Sequence, residues 1–480
     1  MAEERAVSRR DFLKLAGVAG AGIGVAGGLG GLLAACGGTE ETTTTAGPTT
    51  TAAGPTTTAA AETTTTAGPA TTATTGVEGG RAIKLGYCAP KTGNFAAFAV
   101  SDDWILERAK GALKDGIVGG DGKKHAIEFV VADTQSSTDR ASQVAGDLVA
   151  NSKVDMLLAS GTPDTANPVS DQGEALECPT LCSFAPWQAL FFDPTGKPVE
   201  KKWTYGNMLG SEETIASFID AFNQSGVTTN KKVGMLFMND ADFKGWMDPS
   251  AAPKVFAENG YELTVPDPYA PGNEDFTSYI TAFKKAGCEI ICGTNDPPFF
   301  GAFMQQSLQQ GFNPVFISSG KALLFASATE SYANNGVGLI GECAWHPSWK
   351  IADTLIPGED STTMAADFEA KTGQQWTAAI GCYGKVEWAV DIFKRATNPD
   401  DKQTIIDAIK TTKGVFQQGK LDYTEPVDAN GFHVIANNYK PYIGAVQWVK
   451  STKYKVEPVQ ISNACAPGTT VTAKAVPMQY

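Results

Sequence analysis

Two short turns in this chain carry the residue types that can grip a small zwitterion. Gly161-Thr162-Pro163-Asp164-Thr165 and Gly293-Thr294-Asn295-Asp296 each follow an apolar run and open a helical one. Backbone N–H groups at a helix start are unsatisfied and favour a carboxylate, and a threonine hydroxyl adds a further donor. An aspartate does the reverse for an ammonium group. Thr162, Asp164 and Thr165 on one turn, with Asn295 and Asp296 on the other, are therefore candidate ligand contacts. Helix capping is the competing use of the two aspartates.

Aromatic residues recur in the same kind of position. Phe95, Phe98, Trp187, Trp246, Trp345 and Trp376 all fall in or beside expected strand-end loops or helix starts. Singly, each is accounted for by core packing. Together they would wall an apolar or cation-accepting cleft, and Phe95, Trp187 and Trp345 are taken as candidates for it. Lys321, after Ser318-Ser319-Gly320, is a candidate partner for a ligand carboxylate; a solvated hinge lysine is the alternative.

Little points to catalysis. The three histidines, His125, His346 and His433, have no partner at metal or triad spacing, and no Gly-x-Ser-x-Gly elbow or His-Glu-x-x-His helix occurs. Beyond Cys36 the chain holds eight cysteines: Cys88, Cys178, Cys182, Cys288, Cys292, Cys343, Cys382 and Cys465. An even number in an exported protein leads us to expect disulfides, with connectivity open. A zinc site built from Cys178, Cys182, Cys288 and Cys292 is disfavoured by the strand-like Glu289-Ile290-Ile291 between the second pair. No metal and no cofactor is expected.

The elements that must position these residues alternate. Apolar strands are expected at 83–88, 127–132, 154–158, 179–184, 232–238, 261–265, 289–293, 314–318 and 338–344. Helices are expected at 101–117, capped by Ser101, at 138–151, and near 165, 211, 252, 276, 299, 363, 375 and 402. Strict βα alternation predicts α/β architecture with parallel sheets covered on both faces. So many strands exceed one comfortable open sheet, and two lobes are expected. Val154–Ser183 and Glu289–Ser318 form a weak internal repeat, each a strand, a Gly-Thr-x-Asp turn, a helix and a strand. Both turns fall at the carboxyl end of a strand, where ligands sit in open α/β sheets.

The N-terminus locates the protein. Ser8-Arg9-Arg10-Asp11-Phe12-Leu13-Lys14 resembles a twin-arginine signal, and Leu33-Ala34-Ala35 before Cys36 resembles a lipoprotein box in which Cys36 receives the lipid. Residues 1–36 are read as this signal and residues 37–80, almost only Thr, Ala, Gly and Pro, as a disordered tether. The net charge of -14 becomes -15 once a leader with four basic and three acidic residues is removed. An acidic body argues against nucleic acid and against binding anionic lipid by charge.

Ile83-Lys84-Leu85-Gly86-Tyr87-Cys88-Ala89-Pro90-Lys91-Thr92-Gly93 resembles the opening strand and loop of the leucine/isoleucine/valine-binding family of ABC-transporter substrate-binding lipoproteins. Val131-Ala132-Asp133-Thr134-Gln135 resembles its second strand and acidic loop, Val154–Ser183 its third and fourth strands, and Asn239-Asp240 through Phe243-Lys244-Gly245 the start of its second ligand wall. The resemblance implies a type I periplasmic binding protein: two Rossmann-like lobes joined by three hinge crossovers, here placed near 205, near 320 and after 425. Lobe 1 would be 81–205 with about 320–425, lobe 2 206–319 with about 426–460, and 461–480 a tail.

Carried over by position, the family's carboxylate-holding loop falls on Thr162–Thr165, a further contact on Ala185–Trp187, the stacking aromatic on Phe243 where a tyrosine is usual, and the ammonium-pairing acid on Asp296. Thr92 and Asp240 belong to the matched loops. Pro186-Trp187 replaces the Ala and Thr of common amino-acid binders. The resemblance implies a monomeric solute-binding lipoprotein, not an enzyme, held extracytoplasmically at the membrane and serving an ABC permease. Its solute would be an amino acid, an amide or urea, or an aromatic or cationic small molecule. A ligand-sensing surface lipoprotein is the first alternative and a cleft enzyme the second.

Overall fold

Residues 83–89 are apolar except at Lys84, and all but Lys84 are buried, the pattern of a strand paired on both sides. In the computed structural model, which describes residues 77–480 apart from 194–196, 250, 333–335 and 429, this strand sits inside a seven-stranded sheet. The order is His433–Ile435, Asn438–Tyr439, Thr204–Asn207, Thr180–Ser183, Met156–Ala159, Ile83–Ala89, Ile127–Asp133. Every pairing is parallel except the one at the His433 edge.

A second seven-stranded sheet has the order Val456–Cys465, Ile443–Lys450, Ile340–Cys343, Phe316–Lys321, Ile290–Asn295, Lys232–Phe237, Glu262–Thr264. Its first two strands form an antiparallel hairpin, and Ile443–Lys450 also runs antiparallel to Ile340–Cys343; the rest is parallel. The sheets are thus mostly parallel rather than purely so. Helices cover both faces of each in two lobes, the α/β architecture expected. Helix Thr138–Ala150 illustrates why. Ser137 caps it by accepting from the Arg140 N–H, and Ala141, Val144, Ala145 and Leu148 form its buried stripe.

The chain passes between the lobes three times. It leaves the first sheet after Asn207, returns after Cys343, and crosses again between Tyr439 and Ile443. The second crossing corrects the expectation near 320: Phe316–Lys321 and Ile340–Cys343 both belong to the second sheet, and only then does the chain return. Arg108 of the first lobe secures the returning segment, pairing with Asp353 at 2.8 Å, Glu359 at 2.6 Å and Asp367 at 3.4 Å.

Other expectations also change. Residues 461–465 belong to a strand, and the segment beyond is held to the second lobe by Thr472 N–H donating to Gln460 and Met478 N–H to Val315, so 461–480 is no free tail. The end of the supposed tether pairs with the body: Glu78 accepts from Lys124 N–H at 2.7 Å, and Gly80 N–H donates to Lys124 at 2.9 Å. Ser101 stands at the N-cap without a side-chain bond, and that helix ends at Ala112. All eight cysteines among the described residues are unpaired, seven of them buried, which overturns the expected disulfides. They pack as small apolar residues in the two lobes' cores. The signal and Cys36 lie outside the described residues.

Candidate functional site

A narrow cavity opens between the lobes at the carboxyl ends of the strands. Gly161, Thr162, Pro163, Phe184 and Pro186 line it from the first lobe, with Phe98 beside them; Asp242, Trp246, Thr294, Lys321 and Glu342 line it from the second. Leu209 and Ala344, at the first two crossings, and Leu324 complete the lining.

The first wall is built by a turn that needs glycine. Gly161 has φ +120°, and a Cβ there would meet Thr165 Oγ1 at 2.8 Å. Thr162 is the N-cap of helix Pro163–Ala175, its N–H donating to Thr165 Oγ1 at 3.2 Å. Thr165 is therefore spent on holding the turn. The Thr162 hydroxyl lies close to the Thr165 amide but makes no hydrogen bond of normal geometry among the described residues, although Thr162 is only 1% exposed. Asp164, in the first helical turn, is half-buried. Its carboxyl is raised by burial, in part offset by Lys321 across the cleft.

The second wall centres on an ammonium group. Lys321 Nζ lies 2.9 Å from Asp240 Oδ2 and 3.3 Å from Asp296 Oδ1, and also pairs with Asp242. Asp240 caps helix Ala241–Trp246 through its other oxygen, accepting from Phe243 N–H at 2.9 Å. Asp296 stands at the N-cap of helix Pro297–Gln309 yet makes no capping bond, so its carboxylate is left for Lys321. Glu342 Oε1 accepts from Lys321 N–H at 3.1 Å, and Glu342 Oε2 from Thr214 at 3.2 Å.

Burial alone would lower the Lys321 pKa, but Asp242, Asp240 and Asp296 outweigh it and hold the group well above its usual range. One ammonium cannot compensate three carboxylates. Burial, with Asp240 beside it, pushes Asp242 up to about 7 despite Lys321, and burial raises Glu342.

Two lining residues hold left-handed backbone, Phe184 at φ 67° and Lys321 at φ 51°. A bulky side chain there costs of order 1–3 kcal/mol and persists only where its surroundings fix it. One ends the strand Thr180–Ser183 of the first lobe, and the other closes Phe316–Lys321 of the second.

Of the sequence candidates, Thr162 and Lys321 line the cavity, and Asp240 and Asp296 form the shell around Lys321. The others are used differently. Thr92 Oγ1 donates to Asp133 at 2.7 Å, tying the first loop to the second strand. Asn295 accepts from Tyr269 at 2.9 Å and donates to Ser319 at 3.2 Å. Trp187 opens helix Trp187–Phe191, packs on Phe192 and donates its indole N–H to Glu212 at 3.2 Å, linking the lobes behind the cavity. Trp345 is fully buried and donates to Gln417 at 2.9 Å. Phe95 and Phe243 pack in the cores; of the aromatics that reach the cavity, Phe98 and Trp246 each lie three residues further on, and Phe184 follows the strand Thr180–Ser183.

Asp242 and Glu342 were not anticipated. The Asp-x-Asp spacing that puts Asp240 at the cap and Asp242 in the first turn of helix Ala241–Trp246 is a readable signal for the first; nothing local marks the second.

Comparison with known proteins completes the description. The family model of the periplasmic binding protein matches residues 82–427. A Leu/Ile/Val-binding protein homolog 3 from Brucella melitensis is 25% identical over 362 residues, 72% of this chain and 88% of that protein. A leucine binding protein from Thermotoga maritima superposes with a TM-score of 0.65 at 17% identity, over 80% of this chain and 99% of the other. A solute binding protein of an ABC transporter from Rhodopseudomonas palustris, in complex with 3,4-dihydroxybenzoic acid, does so with a TM-score of 0.60 at 16% identity, over 82% and 98%. At these identities the structural likeness concerns the fold.

Proposed function

The chain belongs to the periplasmic binding protein family, and from that premise we propose that it is the extracytoplasmic solute-binding component of an ABC importer, capturing a small polar or amino-acid-like solute between its two lobes. One observation carries this reading: the cavity is assembled jointly by both lobes beside the crossings, with an open hydroxyl on one wall and a charged cluster on the other. Ligands of open α/β sheets sit in this position. Contacts made from both sides favour the closed arrangement of the lobes and so couple binding to closure.

Export by the twin-arginine route, lipidation at Cys36 and a threonine-rich tether would keep this monomeric trap beside a membrane permease. Among the described residues no helix is long and apolar enough to cross a membrane. The cycle is binding without chemistry. A thermal-shift screen over amino acids, amides, aromatic acids and amines tests it: a saturable shift for one class, with the solute recovered unchanged, is expected. Conversion of the solute would contradict it.

A further inference from the structure

We propose that the solute is an organic cation, an amine or guanidinium of net positive charge, held against the acidic second wall of the cavity. This rests on the reading of the cavity as a solute site and narrows its ligand to one chemical class.

The charge balance points there. Asp240, Asp242 and Asp296 converge on Lys321 Nζ, the side chains of all four being over nine-tenths buried. Glu342 adds a fourth buried acid to the same wall, and Asp164 faces it from the first lobe within reach of the charges on Lys321, Asp240 and Asp296. Lys321 is the one basic residue in the cavity lining. A solute carboxylate without a surplus of positive charge would enter a site already dominated by anions, and in a buried setting that repulsion is weakly screened. A cation relieves it.

A second observation is independent of the acids. Thr162 lines the opposite wall, almost wholly buried, and its hydroxyl, without a partner of normal geometry, can accept an N–H of the solute. Phe98, Phe184 and Trp246 supply the remaining faces, and aromatic rings attract alkylammonium and guanidinium groups. The convergence point of the three aspartates is already occupied by Nζ. Accordingly, no group of three or more potential ligands among the described residues is arranged to hold a metal ion, which favours an organic cation over an inorganic one.

The test is calorimetry on the purified protein with arginine, putrescine and choline against leucine and 4-hydroxybenzoate. At least one cation should bind about tenfold or more tightly than leucine and 4-hydroxybenzoate, with affinity falling as salt is raised. Asp240→Asn should weaken that cation by about tenfold or more. Should that variant not fold, Asp164→Asn, which makes no ion pair with Lys321 and is only partly buried, should weaken it by a factor of about 2 to 10. Binding of leucine or 4-hydroxybenzoate with no cation bound overturns the inference and leaves solute capture standing. Binding of no solute in either set, or in the wider screen, overturns both.

Discussion

Lys321 Nζ lies 2.9 Å from Asp240 Oδ2 although 81 residues separate them, and both side chains are only 8% exposed. The pair joins the end of the strand Phe316–Lys321 to the cap of helix Ala241–Trp246, so the second wall of the cavity is fixed by charge as well as by packing.

Lys321→Met leaves Asp240, Asp242 and Asp296 without their shared counter-ion. Removing one partner of a buried ion pair costs about 3–5 kcal/mol. Asp242, already pushed up to about 7, protonates first in the variant, so the loss measured by urea unfolding should be smaller at about pH 5.5 than at about pH 8. An equal loss at both values would contradict this electrostatic account of the wall.

The pH dependence of the wild type has a definite sign. Burial raises Glu213 to about 8, and Asp242 and Glu387 to about 7. A carboxyl whose folded pKa is raised holds a proton that the unfolded chain releases, so its contribution to stability falls as pH rises toward the folded value. Buried Lys385, lowered by burial, acts in the opposite direction at higher pH, and His346, lowered by burial to about 4, does so below its usual range near 6.5. The three carboxyls outnumber either. The melting temperature should therefore rise as pH is lowered from about 8.5 to about 6.5 and go on rising, less steeply where His346 opposes it, toward the ordinary carboxylate range; a fall as pH is lowered from about 8.5 to about 6.5 would contradict the sign.

Trp187→Phe removes the indole bond to Glu212 but keeps an aromatic ring against Phe192. A loss of about 1 kcal/mol in stability is expected, with solute affinity unchanged within about twofold. A large loss of affinity in a fully folded variant would return Trp187 to the ligand site.

The thiols offer a chemical check. In denaturant without reductant, all eight cysteines of residues 77–480 should react with iodoacetamide. In the native protein the seven buried ones should resist, because burial hides their sulfurs and pushes thiols such as Cys88, Cys182 and Cys382 up to about 12. Labelling that requires prior reduction would show disulfides after all.

Much of the fold was legible because its parallel strands are continuous apolar runs and its outer helices carry a clean stripe, as in Thr138–Ala150. The helix expected near 375 starts three residues later, as the turn Ala378–Cys382, and runs on as Tyr383–Arg395, ten of whose residues are buried. The hairpin Ile443–Lys450 with Val456–Cys465 breaks the βα rhythm used to read the chain.

At the site, the two Gly-Thr-x-Asp turns pointed to Thr162 and Asp296. The aromatic residues misled, since Trp187 and Trp345 differ from Trp246 only in which way tertiary packing turns the ring. Glu342 lies inside a buried strand and meets Lys321 only across the sheet, a pairing that no local pattern announces.

The central claim is that one solute is held from both lobes at once. It is tested most directly by calorimetric titration of that solute into Thr162→Val and Asp296→Asn, one substitution on each wall. Both folded variants should bind it about tenfold or more weakly than the wild type. Wild-type affinity in both would contradict the account.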